Sequence, residues 1–219
     1  YQQALDERWK LYFGDKSKAF IKKYNDRILC YFTADETLPK DIPAMLLSHK
    51  RLAEVDPNNI GFPYLNLSRD EYMPYVGVYF GDWYPIKKAV DGGRNPWSTQ
   101  SMMRKTVKKA GKKTPVWLMP QGFGYMDTVY GFSTPAEMKL MLYGAVANGC
   151  KGIAFHGYAG MPSWRNKYGY HFNYFMSFPH YPLWNAMSEC ARQFTSIGPS
   201  LLDTFPEDNY QDYDVSVGS

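Results

Sequence analysis

Short apolar runs rich in aromatic and β-branched residues recur along this chain. Most are followed by a stretch whose apolar positions fall at helical spacing. The first run, Ile28-Leu29-Cys30-Tyr31-Phe32, predicts a strand over 28–34 that ends in two adjacent carboxylates, Asp35 and Glu36. Asp41 is placed to cap a helix over 42–55, with Ile42, Met45, Leu46, His49, Leu52 and Ala53 on one face. Asp56-Pro57-Asn58-Asn59 stops it. A second strand follows over 60–67, weakened by Pro63, which cannot donate to a ladder.

After a short connection, a third strand is predicted over 76–80, ending in Gly81-Asp82-Trp83-Tyr84-Pro85. Ser98 or Thr99 starts a helix that runs to Ala110 and stops at Gly111. A fourth strand over 115–119 ends at Pro120-Gln121-Gly122. Thr134-Pro135-Ala136-Glu137 is the clearest local signal: an N-cap hydroxyl, proline at the first helical position, and Glu three residues after the cap. Met138, Met141, Leu142, Ala145 and Val146 continue that helix to Asn148-Gly149. A fifth strand over 152–155 ends at His156, and a long aromatic loop, 157–181, leads to a last helix over 183–197. Ahead of the first strand, 1–24 reads as helix with a break at Gly14-Asp15.

This βα repetition implies an α/β fold with a parallel sheet of about five strands. Open and closed sheets both fit. Two features favour a closed one. Polar or aromatic residues stand at nearly every strand C-terminus, and a barrel gathers all its tips around one mouth. No glycine-rich phosphate loop follows any strand, so the nucleotide-binding form of the open sheet has no support.

The order strand–Asp-Glu, strand–Asp-x-Tyr-Pro, Pro-Val-Trp…Gln, then Thr-Pro-x-Glu-Met…Tyr-Gly-Ala…Asn-Gly-x-x-Gly-Ile resembles strands four to eight of (β/α)8 glycoside-hydrolase-like barrels. The likeness covers roughly residues 20–200. It implies that 1–203 is the C-terminal part of a TIM-barrel domain. Residues 204–219 are then a linker or the start of a following β-domain, in which Val215 and Val217 alternate with polar residues. Further chain is expected upstream and downstream, and an extracellular or secreted location. By the same likeness Glu36 falls where such enzymes carry the acid/base, whereas the strand-seven nucleophile position holds Gln121, and an amide cannot form a glycosyl ester.

Composition adds a substrate class. Tyr, Phe and Trp make up 17% of the chain, many outside the periodic segments. Aromatic-lined clefts suit ligands with apolar faces and polar rims, of which sugars are the leading case. The net charge of +4 is spread without a basic stripe; Lys108-Lys109 and Lys112-Lys113 read as a solvated helix end, so nucleic acid is not an expected partner. No window is apolar and long enough to span a membrane. Three cysteines, Cys30, Cys150 and Cys190, have no metal-ligand spacing, and an odd count does not make a complete disulfide framework. No metal and no cofactor is expected.

Glycoside hydrolysis needs two carboxyl groups flanking the bond. Glu36 as general acid and Asp82 as base or nucleophile are the candidate pair. Consecutive strand residues face opposite ways, so only one of Asp35 and Glu36 is expected to enter the mouth. Asp35, Trp83, Tyr84, Gln121, His156, Tyr158 and Trp164 are candidate substrate contacts: rings for stacking, and the carboxylate, amide and imidazole for hydroxyl groups. The alternative is a non-catalytic barrel that binds glycan or serves as a structural module.

Overall fold

The computed structural model describes residues 14–35, 38–66, 70–88, 93–125, 129–155, 172–174 and 181–205. In chain order its elements are helix α1 (Asp15–Tyr24), strand β1 (Cys30–Asp35), helix α2 (Ile42–Val55), strands β2 (Ile60–Asn66) and β3 (Tyr79–Trp83), helix α3 (Ser98–Ala110), strands β4 (Val116–Pro120) and β5 (Phe123–Tyr125), helix α4 (Pro135–Ala147), strands β6 (Gly152–Ile153) and β7 (Phe172–Tyr174), and helix α5 (Tyr181–Leu201).

Five strands pair in parallel in the order β1-β2-β3-β4-β6, so spatial order follows chain order with no reversal. β5 and β7 form a separate antiparallel pair, which the periodicity does not announce because each is only three residues long. One register row crosses the whole parallel sheet: Asp35, Tyr64, Phe80, Trp117, Gly152. The ladder of β1 on β2 skips between Phe32 and Ala34, opposite Pro63. Proline has no N–H to give there, and the extra residue accommodates the gap.

Local chemistry explains the helix ends. The expected capping box forms: Thr134 Oγ1 accepts from the Glu137 N–H at 3.2 Å, and Glu137 Oε2 accepts from the Thr134 N–H at 2.8 Å. Gly111 and Gly149, just past α3 and α4, hold positive φ of 64° and 89°. Asp41 stands at the start of α2, but its carboxylate accepts from the Leu38 N–H at 3.1 Å instead of capping the helix. Helix α1 starts at Asp15, where the break in the 1–24 pattern falls; residues 1–13 and 206–219 lie outside the described set.

The two sheet faces differ. On one, Tyr79, Val116 and Leu118 pack against Met45 of α2, Met103 and Val107 of α3 and Ala145 of α4. A second apolar cluster joins α4 to α5 through Met138, Met141, Leu142, Leu183 and Met187. On the other face Phe80 and Val78 gather Cys30, Trp117, Met119 and Ala154. Phe80 and Trp117 meet edge to face, centroids 6.3 Å apart. All three cysteines are free thiols, and burial pushes Cys150 up to about 11. Among the described residues no helix is long and apolar enough to cross a membrane.

At the N-terminal edge of the sheet, buried Asp56 accepts from the Tyr31 hydroxyl (2.6 Å), Asn59 Nδ2 (2.5 Å) and the Asn58 N–H (3.4 Å). Burial pushes the Asp56 carboxyl up, and these donors outweigh it, leaving it below its ordinary value. A depressed folded value stabilises the fold above the unfolded carboxyl range and is lost as pH falls through the folded value.

Two outcomes follow. Tyr31→Phe, which leaves Asp56 short of a donor, is expected to cost about 1–3 kcal/mol at neutral pH, and less in acid. Urea midpoints at pH 7 and pH 3 measure this. At Gly152, an added Cβ would lie 2.5 Å from the Trp117 ring. Gly152→Ala is therefore expected to cost about 1–3 kcal/mol through forced repacking, seen as a lower melting temperature with altered tryptophan emission.

Candidate functional site

The side chains of β3 divide by the two-residue period of a strand. Tyr79 and Trp83 turn to the helix-covered face, where Trp83 Nε1 donates to Ser98 Oγ of α3 at 2.9 Å. Phe80 packs on the opposite face, and Asp82 shares its parity. The strand starts three residues later than 76–80 and runs through Trp83. Asp82 is thus not past the strand tip. It lies inside the strand, in register with Asn66 on one side and Met119 on the other.

The Asp82 side chain is 6% exposed, and its Oδ1 has no hydrogen-bond partner. A buried carboxylate oxygen without a donor costs free energy that a neutral residue would not. Groups retained at such a cost are candidates for binding or catalysis.

Among the described residues, the candidate set is spread over several places. Asp35 ends β1 in register with Tyr64, two strands from β3, and only its backbone position is described. By strand spacing, β1 and β3 stand roughly 10 Å apart. Glu36, His156, Tyr158 and Trp164 lie outside the described residues. Trp83 belongs to the helix-side core, so its indole does not face Asp82. Tyr84, just past β3, joins a three-ring cluster with Phe123 (4.7 Å, 73°) and Tyr130 (5.9 Å, 85°), and Phe123 and Tyr130 meet at 5.9 Å. Lys87 Nζ sits 3.9 Å above the Tyr130 ring.

Gln121 is turned inward. The sequence offers its amide to a sugar hydroxyl; the structure buries it completely. Oε1 accepts from the Ile86 N–H at 2.8 Å, and Nε2 contacts the carbonyls of Ile86 (2.9 Å), Gly131 (2.9 Å) and Phe123 (3.3 Å). Ser133 Oγ donates to the Gln121 carbonyl at 2.9 Å. The loops after β3 and β4 are thereby joined. Further backbone bonds run from Gly131 to Ile86 (2.9 Å) and from Lys88 to Val129 (2.8 Å).

Sequence reasoning overlooked Phe123, Tyr130, Lys87 and Arg94. Arg94 grips Glu137 through both carboxylate oxygens and also donates to the Phe132 carbonyl at 2.7 Å, pinning the β3–α3 loop to the start of α4. Burial pushes Glu137 up, yet Arg94 and Thr134 hold it below its ordinary value, and Glu137 raises Arg94. The local signal was half visible: Glu137 is part of the capping box, but nothing nearby in sequence points to Arg94, 43 residues away.

A cleft of about 280 Å³ lies elsewhere, between α4, the start of β6 and α5, lined by apolar residues including Val146, Phe155, Phe194 and Leu201. Among the described residues, its lining holds no carboxylate, and the Lys151 ammonium beside it donates to the Leu201 carbonyl at 2.5 Å, satisfying the end of α5. Asp82 lies apart from this cleft, in β3. No group of three or more His, Cys, Asp or Glu among the described residues could hold a metal ion.

Asp82→Asn removes the charge with little change of shape. It is expected to leave the melting temperature unchanged or raise it, since the carboxylate has an unpartnered oxygen. A loss exceeding about 2 kcal/mol in chemical denaturation would instead make Asp82 a structural group. No family model matches the chain, and no curated protein matches it.

Proposed function

We propose that this chain is the C-terminal part of a (β/α)8 glycoside-hydrolase-like barrel acting on a poly- or oligosaccharide. The observation that carries the proposal is the buried Asp82 carboxylate with its unpartnered oxygen, on the sheet face opposite the helices. Parallel strands in sequential order support closure, because an open doubly wound sheet reverses its order at a switch point. So does the edge at β1, where Phe32 is 52% exposed and the adjoining Leu29 71%. Parallel sheets are ordinarily covered on both faces, and further βα units would cover these side chains.

In this mechanism Glu36 protonates the glycosidic oxygen as the bond to the anomeric carbon breaks. Asp82 takes a proton from a water whose oxygen attacks that carbon from the opposite face. Two strand spacings between β1 and β3 suit the wider carboxyl separation that leaves room for this water, about 6.5–9.5 Å, rather than the roughly 5 Å of a covalent intermediate. The product then carries the inverted anomeric configuration. The substrate is carbohydrate, and the setting extracellular.

A second reading is a non-catalytic barrel that binds glycan or serves as a structural module of an extracellular assembly. It is favoured by one observation: Gln121, after β4, where the barrel likeness expects a carboxylate nucleophile, is an amide whose bonds are all internal.

A panel of oligosaccharides, followed by proton NMR of the released sugar, tests the proposal. Wild type is expected to release the inverted anomer, and Glu36→Gln and Asp82→Asn to lose about a hundredfold or more in rate. Retention of configuration would remove Asp82 from the role of base. Glycan binding with wild type as inert as both variants would establish the second reading.

A further inference from the structure

The buried amide of Gln121 meets one N–H donor and three carbonyl acceptors. That pattern decides which side-chain chemistry fits. The oxygen must face the Ile86 N–H and the nitrogen must face the carbonyls; reversing them would set oxygen against oxygen and N–H against N–H. Toward Ile86 the amide behaves as a neighbouring peptide would, accepting from its N–H and donating to its C=O. A carboxylate could satisfy the single N–H but would place a negative oxygen against three carbonyl oxygens in a site without water access. A methionine would fill the volume and satisfy nothing.

We infer that Gln121 is a positioning residue: an amide clamp that locks the β3–α3 loop to the β4–α4 loop and so fixes the rim beside Asp82. Its amide is a requirement of the fold at this place, not the remnant of a carboxylate nucleophile. The geometry beyond the amide agrees. Gly131, one partner, is itself tightly enclosed: an added Cβ there would lie 3.2 Å from Arg94 Nη1 and from the Lys87 carbonyl. The ring cluster of Tyr84, Phe123 and Tyr130 spans the same two loops, Tyr84 from one and Phe123 and Tyr130 from the other. Ser133 holds the Gln121 backbone from the second loop. Without the amide, the Ile86 N–H loses its acceptor and the Gly131 carbonyl a donor, and both lie in the joint between the loops.

The activity part of this inference rests on the glycan-acting mouth proposed above; the clamp itself rests on the hydrogen bonds alone. Native-state hydrogen exchange of Gln121→Met separates the two. Exchange at Ile86, Lys88 and Gly131 is expected to rise roughly tenfold or more, as for a locally opened unit. The amides of Tyr79 and Lys151, which bond to Pro115 and Val116 at the sheet, should keep their wild-type rates. Equal acceleration at all five positions, or none at Ile86 and Gly131, overturns the clamp. Gln121→Asn, which keeps the amide but shortens its reach by one methylene, should show the same loop-confined pattern. It decides the matter if Gln121→Met does not fold, and a uniform pattern or no change there likewise overturns the clamp.

On a glycan that wild type cleaves, Gln121→Met should raise KM roughly tenfold with kcat within about twofold, because the rim is displaced while the acid pair is untouched. A fall in kcat alone counts against the positioning role. Gln121→Glu should open the same loops and cleave no better than wild type; a gain in cleavage would restore the nucleophile position and overturn the inference. If wild type neither binds nor cleaves any glycan, the proposed function fails, and the exchange pattern still decides the clamp.

Discussion

One buried amide, that of Gln121, joins the loops after β3 and β4. The Gln121 side chain reaches backbone groups 35 and 10 residues away and, with backbone bonds between Gly131 and Ile86 and between Lys88 and Val129, ties together two loops that are far apart in sequence. The arrangement is stringent because it is dry. In water an amide exchanges partners freely; in a buried site each unmet donor or acceptor costs free energy, so only one geometry of the two loops satisfies them all. The ring cluster and the Arg94–Glu137 pair then add contacts to a joint whose register is already set.

Asp82 is the contrasting case. Gln121 has its bonding capacity met within the fold, and Asp82 leaves an oxygen unmet. Both are buried polar groups near the C-terminal ends of adjacent strands, β4 and β3. The satisfied one stabilises; the unsatisfied one is held in place by its neighbours at some cost. A satisfied amide and an unsatisfied carboxylate thus stand near the ends of neighbouring strands, and the bonds of the first add to the fold while the burial of the second subtracts from it.

The opposite end of the sheet carries groups whose role is cohesion. Asp56 gathers Tyr31, Asn58 and Asn59 where α2 hands over to β2, and Lys151 satisfies the carbonyls that end α5. Each has hydrogen-bond partners within the fold. Satisfied polar groups thus stand at both ends of the strands: Asp56 and Lys151 at the N-terminal ends, Gln121 and the Arg94–Glu137 pair at the C-terminal ends.

Helix α2, the capping box of α4 and the glycine stops after α3 and α4 are legible in the residues because their signals lie within a turn of where they act. Strand positions were less so: β3 starts three residues later than its apolar run, since tertiary pairing with β2 and β4, not composition, sets where a ladder begins and ends. The place of Asp82 after an apolar run is visible in the sequence; that its Oδ1 is buried without a hydrogen-bond partner is not. Trp83 and Gln121 were assigned to ligand by residue type, and contacts with Ser98, Ile86 and Gly131 give them to the core. The sequence by itself determined the alternation of strands and helices, because hydrophobic period and caps are properties of neighbouring residues. Only the tertiary structure decided which polar groups are satisfied and which are left over, because a hydrogen-bond partner 35 or 43 residues away leaves no mark on the local pattern.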